Sequence, residues 1–300
     1  MIEKLIFEAC KTILGTSITY LLPLYLTTGT LNILQNKITI NKVSKYNGFF
    51  IKTNTNSLVR RTPINEYYEV LKEYIDKLGE FTSSKNMNTV CRNIVDLKLT
   101  KIPYMSLMGA AGSYDCKENI IRYSKEEYIG HEFLHMASGV YDSKNKFYYC
   151  GFKIKKGTLI YGLGLNEGYT ELLASRIFNK DNKIHSYHKE VLITKIIELF
   201  FKDKKEMEYY YFNHDMEGFI KYMSQYIEYN DLMNIIGYMD SLSNSSILGN
   251  PIPNVVSKSI IIKLYNYLLK SFPEHEKEFF DIIKKDKVLL MLLNNNTKRR

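Results

Sequence analysis

The residues best suited to chemistry are two histidines and a glutamate within five positions. The run reads His131-Glu132-Phe133-Leu134-His135, and the chain has only six histidines. Residues four apart lie on one face of a helix, so both imidazoles can point to one site. Two imidazoles on adjacent turns can bind one zinc ion at about 2.0–2.1 Å. Glu132 is rotated by about 100° from His131, so its carboxylate can address water at the ion rather than the ion itself.

This HExxH pattern also arises by chance on surface helices, in roughly one chain of this length in a hundred, so its surroundings must decide. A zinc site of this kind needs a third protein ligand and keeps a fourth position for water. In the extended metzincin pattern, a glycine and a third histidine follow the second histidine by three and six residues. Ser138 and Tyr141 occupy those positions here, which excludes that class.

A candidate third ligand lies downstream, in the stretch Gly164-Leu-Asn-Glu-Gly-Tyr-Thr-Glu-Leu172. The pair Asn166-Glu167 after an HExxH run resembles the gluzincin metallopeptidases, the zincin group that includes thermolysin-like enzymes and neutral aminopeptidases. The resemblance implies one zinc ion per chain, with Glu167 as the third ligand beside His131 and His135. It also implies that Glu132 is the general base.

The resemblance further assigns residues that would orient the ligands. In thermolysin-like enzymes an acidic residue one turn beyond the ligand glutamate orients the first histidine, which implies this role for Glu171. Asn166 is a second candidate for a residue that supports the ligands without binding the metal. The alternative is an ordinary solvated helix face. However, two acids four residues apart repel each other unless a cation lies nearby, and zinc would supply that charge.

The likeness covers roughly residues 109–178. The 31 residues between His135 and Glu167 depart from the thermolysin spacing, so the resemblance extends to the glutamate subclass and to no single family. A peptidase also needs a donor for the oxyanion of the transition state. Tyr161, Tyr169 and His214 are candidates, although each can equally be an ordinary core or surface aromatic residue in a chain with 25 tyrosines.

The elements that must position these residues predict an α+β fold. Ile120–Tyr123 is a predicted strand, and Ser124 with Glu127 three residues later forms a capping-box pattern that predicts the start of the HExxH helix. In such folds the edge strand before this helix pairs with an extended substrate, which implies that role for Ile120–Tyr123. A hairpin is predicted over 147–162 and a helix over Asn166–Phe178. Further helices are predicted at Tyr187–Phe201, Met216–Tyr229, Leu232–Met239, Val256–Leu269 and Glu274–Leu293.

These elements predict three parts of the chain. Residues 1–36 form an apolar N-terminal segment, 37–183 a zincin-like catalytic region with a small antiparallel or mixed sheet, and 184–300 a mostly α-helical subdomain. Residues 12–36 carry no charge and are long enough to cross a bilayer. Threonines, serine and Pro23 dilute this stretch, which favours a buried helix or hairpin, with a membrane anchor as the alternative.

Composition and charge limit the classes of partner that the sequence predicts. The 45% hydrophobic and 24% charged residues are those of a globular chain rather than a disordered one. The net charge is 41 − 32 = +9, but no RNP-like aromatic motif, zinc-finger spacing or glycine-rich phosphate loop accompanies it, so no specific nucleic-acid partner is predicted. The four cysteines form no CxxC pair, which favours reduced thiols. A cytoplasmic location is favoured, with membrane association through residues 12–36 as the alternative.

Together these observations predict a zinc-dependent hydrolase of peptide bonds in peptide or protein substrates. In this mechanism zinc lowers the pKa of its water toward about 7. Glu132 takes the proton of that water as it attacks, and then passes it to the leaving amine. The alternative is a module that binds zinc or peptides without cleaving them, with or without a membrane anchor.

Overall fold

The computed structural model describes residues 49–52, 58–62, 68–83, 85–103, 105, 111–247, 254–284 and 290. The predicted N-terminal segment 1–36 lies outside these residues. The buried helix or hairpin expected there, and the alternative membrane anchor, therefore both stay predictions. Within the described part of the chain, no helix is long and apolar enough to cross a bilayer.

Most of the described chain is helical. Its α-helices are α1 (Tyr68–Phe81), α2 (Asn88–Asn93), α3 (Ile129–Ala137), α4 (Leu163–Ile177), α5 (His188–Ile197), α6 (Lys204–Phe212), α7 (Met216–Met223), α8 (Tyr229–Ile247), α9 (Asn254–Ser271) and α10 (Glu276–Ile283). With the small sheets described next, they confirm the predicted α+β class.

The strands form three small sheets. They are β1 (Phe49–Lys52), β2 (Leu58–Thr62), β3 (Lys98–Lys101), β4 (Gly112–Asp115), β5 (Ile120–Tyr123), β6 (Gly139–Asp142), β7 (Phe147–Cys150), β8 (Lys153–Lys156) and β9 (Leu159–Tyr161). β1 and β2 form an antiparallel pair, while the second sheet has the order β3-β5-β4 and the third the order β6-β7-β8-β9. The second sheet is mixed, because β5 runs parallel to β3 and antiparallel to β4.

This topology corrects one expectation about the strand before α3. β5 (Ile120–Tyr123) lies in the middle of its sheet, with a hydrogen-bonded neighbour on each side. The edge nearest α3 is formed by β4, since Gly112 packs directly against the side chain of Glu132. β5 therefore has no free edge for an extended substrate, and β4 does among the described strands.

The start of α3 also differs from the expected capping box. A 3₁₀ turn over Glu126–Tyr128 precedes the α-helix, and no side chain caps either element. The Ser124 hydroxyl instead donates to the carbonyl oxygen of Ala111, 2.8 Å away. The Ser124 side chain therefore closes the end of the β4–β5 hairpin, and the 3₁₀ turn that begins after Lys125 starts without a side-chain cap.

Further differences concern the helices after residue 186. The predicted helices Met216–Tyr229 and Leu232–Met239 are observed as α7 and the much longer α8, and α6 was missed altogether. α6 begins after Asp203, whose side chain accepts a hydrogen bond from the Lys205 amide. That arrangement is an ordinary N-cap, and an aspartate at this position is a signal from which the start of α6 could have been predicted.

Two helices lie at the centre of the molecule, and they carry the candidate residues. Every residue of α3 is buried, and so is α4 from Leu163 to Ser175. α4 packs closely on α8 because Gly164 has no side chain: a Cβ there would lie 2.1 Å from the Met239 carbonyl oxygen. A helix that is buried on all sides has its side-chain directions fixed by its neighbours.

One hydrophobic core runs through the described structure. It includes Leu71 of α1, Phe133 of α3, Leu172 of α4, Ile236 of α8 and Phe279 of α10. The core therefore contains residues from both sides of the predicted boundary at 183/184, although the sheets lie before it and the described chain after it is helical. The division into a catalytic region and a helical subdomain stays a prediction.

Candidate metal centre

Helices α3 and α4 bring three potential ligand atoms to one point. The Nε2 atoms of His131 and His135 are 3.0 Å apart. Glu167 Oε2 lies 3.2 Å from the first and 3.1 Å from the second. The three residues are 8%, 5% and 5% exposed, so the group is almost closed to bulk solvent. This buried His131–His135–Glu167 group can hold a metal ion.

The outward nitrogens of the two histidines are engaged by other side chains. His131 Nδ1 lies 2.9 Å from Glu171 Oε2, a carboxylate that only accepts hydrogen bonds when ionised. His135 Nδ1 lies 3.3 Å from the Cys150 sulfur. If both Nδ1 atoms carry the proton, both Nε2 lone pairs point to the centre of the group. This is the tautomer that ligation through Nε2 requires.

Glu171 is itself held firmly at the turn before α5. Its Oε1 accepts hydrogen bonds from the amides of His185 and Ser186, at 2.6 Å and 3.3 Å. The Ser186 hydroxyl donates to Oε2 over 3.2 Å. The carboxylate that orients His131 is therefore positioned from a different element of the fold.

Asn166 lies beside the second histidine. Its side-chain oxygen accepts a hydrogen bond from the Phe152 amide at 3.1 Å, and its nitrogen is 3.4 Å from His135 Nδ1. Asn166 thus joins α4 to the turn between β7 and β8, next to a ligand imidazole.

A lysine lies beside the ligand carboxylate. Lys153 of β8 places its Nζ 3.4 Å from Glu167 Oε1, the oxygen that faces away from the two imidazoles. The same ammonium lies 5.6 Å from the centre of the Tyr148 ring. Lys153 therefore occupies one carboxylate oxygen of Glu167 and leaves the other for the centre of the group.

The electrostatics of the group favour a positive charge at its centre. Burial would lower the pKa of His131, but hydrogen bonds to Glu167 and Glu171 outweigh it and raise this pKa to about 9. For His135, burial again opposes the shift, and the Glu167 charge raises the pKa to about 10. Burial would raise the pKa of Glu167, yet the charges of His135 and Lys153 hold it well below its usual range. Protons and a metal ion compete for such ligands.

The dimensions of the group fit a small tetrahedral ion. Ligand atoms about 2.0–2.1 Å from such an ion lie about 3.3–3.4 Å from one another. The observed separations of 3.0, 3.1 and 3.2 Å are within a few tenths of an ångström of that spacing. When both imidazoles are neutral and protonated at Nδ1, the three inward-facing atoms are all acceptors, and one cation at their centre satisfies all three.

Glu132 lies next to this group without belonging to it. Its side chain is 6% exposed and packs against Gly112 at the start of β4. A Cβ at position 112 would lie 2.7 Å from Glu132 Oε1, so only glycine leaves room for the carboxylate there. Burial raises the pKa of Glu132, against the opposing charges of His131 and His135.

The Tyr187 ring covers the His131 imidazole. The two rings stack, with centroids 5.7 Å apart and planes inclined by 20°. The residue has a left-handed backbone conformation, with φ of 52°, directly before α5. The charge of Glu167, together with burial, raises the pKa of the Tyr187 hydroxyl well above its usual range. The hydroxyl therefore stays neutral near pH 7 and keeps its proton for donation.

The three residues predicted as oxyanion donors make contacts with other parts of the fold. The Tyr161 hydroxyl donates to the Met233 sulfur of α8 at 3.2 Å. Tyr169 is fully buried and packs on Phe152 and Tyr211. His214 lies beside Tyr149, and its buried Nδ1 has no hydrogen-bond partner among the described residues.

Four residues of the site were missed by the sequence analysis: Cys150, Lys153, Ser186 and Tyr187. Each reaches the group from β7, from β8 or from the turn before α5, and none follows a ligand at a fixed helical spacing. The predicted hairpin over 147–162 contains the first two, but the sequence could not show where their side chains point. A lysine or cysteine in such a hairpin carries no local signal of a role at a metal.

No protein-family model, curated protein or solved structure matches the chain. The resemblance to gluzincins stays a prediction from the HExxH run and from Asn166-Glu167.

Proposed function

We propose that this protein is a zinc-dependent peptide-bond hydrolase. One observation carries the proposal: three ligand atoms on α3 and α4 converge to within 3.2 Å, while Glu132 lies beside them and contributes no ligand atom. A site that only binds a metal for structural purposes has no use for an additional buried carboxylate at that place. Hydrolysis requires one.

The donor set favours zinc over other common ions. Two imidazole nitrogens and one carboxylate oxygen are the protein ligands of the thermolysin type of catalytic zinc site, which keeps one position open. Calcium and magnesium prefer sites made of oxygen ligands. The proposal is therefore one zinc ion per chain, held by His131, His135 and Glu167.

Each residue of the site has a role in this chemistry. Zinc, when bound, supplies a Lewis acid that polarises the peptide carbonyl and lowers the pKa of water. Glu132 accepts the proton of the attacking water and returns it to the leaving amine. Glu171 holds His131 in the ligating tautomer. Lys153 neutralises part of the Glu167 charge, and because its ammonium is bound to that carboxylate it also limits the rotation of the ligand.

Tyr187 is the best-placed donor for the oxyanion. Its ring lies against a ligand imidazole, its hydroxyl is neutral, and the residue is only partly buried. A donor in this position can meet the negative charge that develops on the substrate oxygen. This proposal takes the place of Tyr161, Tyr169 and His214.

The edge of β4 is a suitable place for the substrate backbone. β4 ends its sheet among the described strands, and its first residue touches Glu132. An extended peptide can add to a free sheet edge through backbone hydrogen bonds. The sequence of elements, with a hairpin, the HExxH helix and then the glutamate helix, supports a zincin-like arrangement of this region.

Glu132→Gln is the decisive variant. It should bind zinc as the parent does, because Glu132 is not a ligand, but its peptide cleavage should fall by about 10²–10⁴-fold. Zinc content by elemental analysis and cleavage of a peptide library measure the two properties separately. Glu127→Gln, an exposed glutamate five residues earlier, is the matched control and should behave as the parent.

Each outcome of this experiment is informative. Equal cleavage by Glu132→Gln and the parent would remove Glu132 from the mechanism. A parent that binds one zinc ion and cleaves nothing in the library would instead support the non-catalytic zinc- or peptide-binding module. A parent that binds no zinc would contradict both the zinc hydrolase and the zinc-binding module.

A further inference from the structure

A cavity of about 640 Å³ lies between the β4–β5 hairpin and the β6–β9 sheet. Four cationic side chains, Lys117, Arg122, Lys146 and Lys155, line it against one carboxylate, Asp115. The lining side chains therefore carry an excess of three positive charges. A concave site with one dominant sign of charge attracts ligands of the opposite sign.

The cavity adjoins the proposed metal centre along two strands. On β4, Gly112 packs against Glu132, and the next four residues, 113–116, line the cavity. On β8, Lys153 contacts Glu167, while Lys155 lies two residues farther along and lines the cavity. Residues two apart share a face of a strand and are about 7 Å apart. Counted along these strands, the cavity therefore begins about one to three residues from the points that contact Glu132 and Glu167.

Three of the four cations are free to bind a ligand. Arg122 is already paired with Glu118, at 2.9 Å. Lys117, Lys146 and Lys155 are exposed, and none has an ion pair with a carboxylate of the described residues. Lys155 is paired in register with Tyr148, which in turn is paired with Tyr141, so the two tyrosines and Lys155 form one cross-strand row along the cavity.

We propose that this cavity selects peptide substrates with an aspartate or glutamate one to three residues from the cleaved bond. The inference rests on the proposed peptidase function and adds the substrate class to it. An extended peptide on the edge of β4 advances about 3.3 Å per residue, so side chains at those positions reach the cavity. Lysine ammonium groups bind carboxylates there, and electrostatic complementarity of this kind gives specificity.

The test measures cleavage preference with the full-length, zinc-loaded protein. A peptide library of unbiased composition, analysed by mass spectrometry, gives the cleaved bonds and the residues around them. Matched peptides with Glu, Gln or Lys at the preferred position then give kcat and KM. We expect the Glu peptide to have a KM lower by roughly tenfold than the Lys peptide, and the difference to shrink in 0.5 M salt.

Charge reversal at the cavity should reverse this preference. The double variant Lys146→Glu/Lys155→Glu should favour the Lys peptide over the Glu peptide. The milder pair Lys146→Gln/Lys155→Gln should abolish most of the preference and guards against misfolding. Lys270→Glu/Lys277→Glu makes the same charge change at exposed positions on α9 and α10 and should leave the preference intact.

The outcomes separate this inference from the proposed function. Peptides that are cleaved without any enrichment of acidic residues, or a preference that the cavity variants leave unchanged, would overturn the substrate class alone. A library that is not cleaved at all would overturn the peptidase function, and the substrate class with it.

Discussion

Buried acidic residues lie at both ends of helix α4, in opposite circumstances. Near its start, Glu167 faces two imidazole nitrogens and Glu171 holds one of the rings. Near its end, Arg176 binds Glu198 with two nearly parallel hydrogen bonds, of 2.7 Å and 2.6 Å. The second cluster is complete within the protein, because donors match acceptors. In the first cluster, at the start of α4, three atoms whose lone pairs can point inward lie close together.

The comparison shows how a ligand site differs from a structural ion pair. A bidentate arginine–carboxylate pair satisfies both charges and fixes their geometry. At the start of α4 the outer atoms are also engaged, by Glu171, Cys150 and Lys153, but the inner atoms belong to three different residues whose lone pairs can face one point. The protein orients these side chains from outside, and their centre can hold a metal ion.

The largest effect on the first cluster should follow removal of the ligand carboxylate. Glu167→Ala should weaken zinc binding by roughly 100- to 1,000-fold, or about 3–4 kcal/mol, which is one quarter of the binding free energy of a typical four-ligand zinc site. Competition with a chelating dye measures the affinity. An unchanged affinity would place the third ligand elsewhere.

Breaking the second cluster should cost folding stability and spare zinc. Arg176→Met leaves Glu198 buried without its partner, which should lower the free energy of unfolding by about 2–3 kcal/mol. The value is below that of a fully buried pair because the Arg176 side chain is 27% exposed. Urea denaturation measures it, and Arg176→Met/Glu198→Leu should recover most of the loss. A large fall in zinc affinity would show that the two ends of α4 are coupled.

Glu171 should have an intermediate effect on zinc. Glu171→Ala removes the carboxylate that orients His131 but no ligand atom, so zinc affinity should fall by about 10–100-fold, which is less than for Glu167→Ala. Because the amides of His185 and Ser186 also lose their acceptor, the variant should unfold at a lower temperature as well. Ser186→Ala, which removes only one hydroxyl donor, is the control. If Glu171→Ala is the more damaging to zinc affinity, the two glutamates must exchange roles.

The smallest effect is expected at Cys150, which contacts the outer nitrogen of His135. Cys150→Val removes the hydrogen-bonding atom from a fully buried position and should weaken zinc binding by about tenfold. Cys150→Ser keeps an acceptor for the Nδ1 proton and should recover most of that affinity. Equal affinities for the two variants would mean that the sulfur only fills space.

Parts of the fold were predictable because their signals are local. The hairpin of β4 and β5, the helix around positions 131–135 and the helix that begins before Asn166 all follow from periodicity and turn residues. The order of strands was not predictable in this way. The place of β5 between β3 and β4 depends on its parallel pairing with residues 98–101, twenty-two positions earlier. Neither segment has a sequence pattern that predicts this pairing.

The candidate site divides in the same way. The sequence by itself determined that His131 and His135 share a helix face and that Glu132 points away from it, because helix geometry is local. It also indicated Glu167 and Glu171, one helical turn apart, as the two candidate acidic residues of the site. The resemblance to gluzincins assigned Glu167 to the metal and Glu171 to His131, and the packing of α4 against α3 places Glu167 at the two Nε2 atoms and Glu171 at Nδ1 of His131. Packing likewise brought Lys153, Cys150 and Tyr187 to the group, because contacts between distant segments are set by the shape of the whole core.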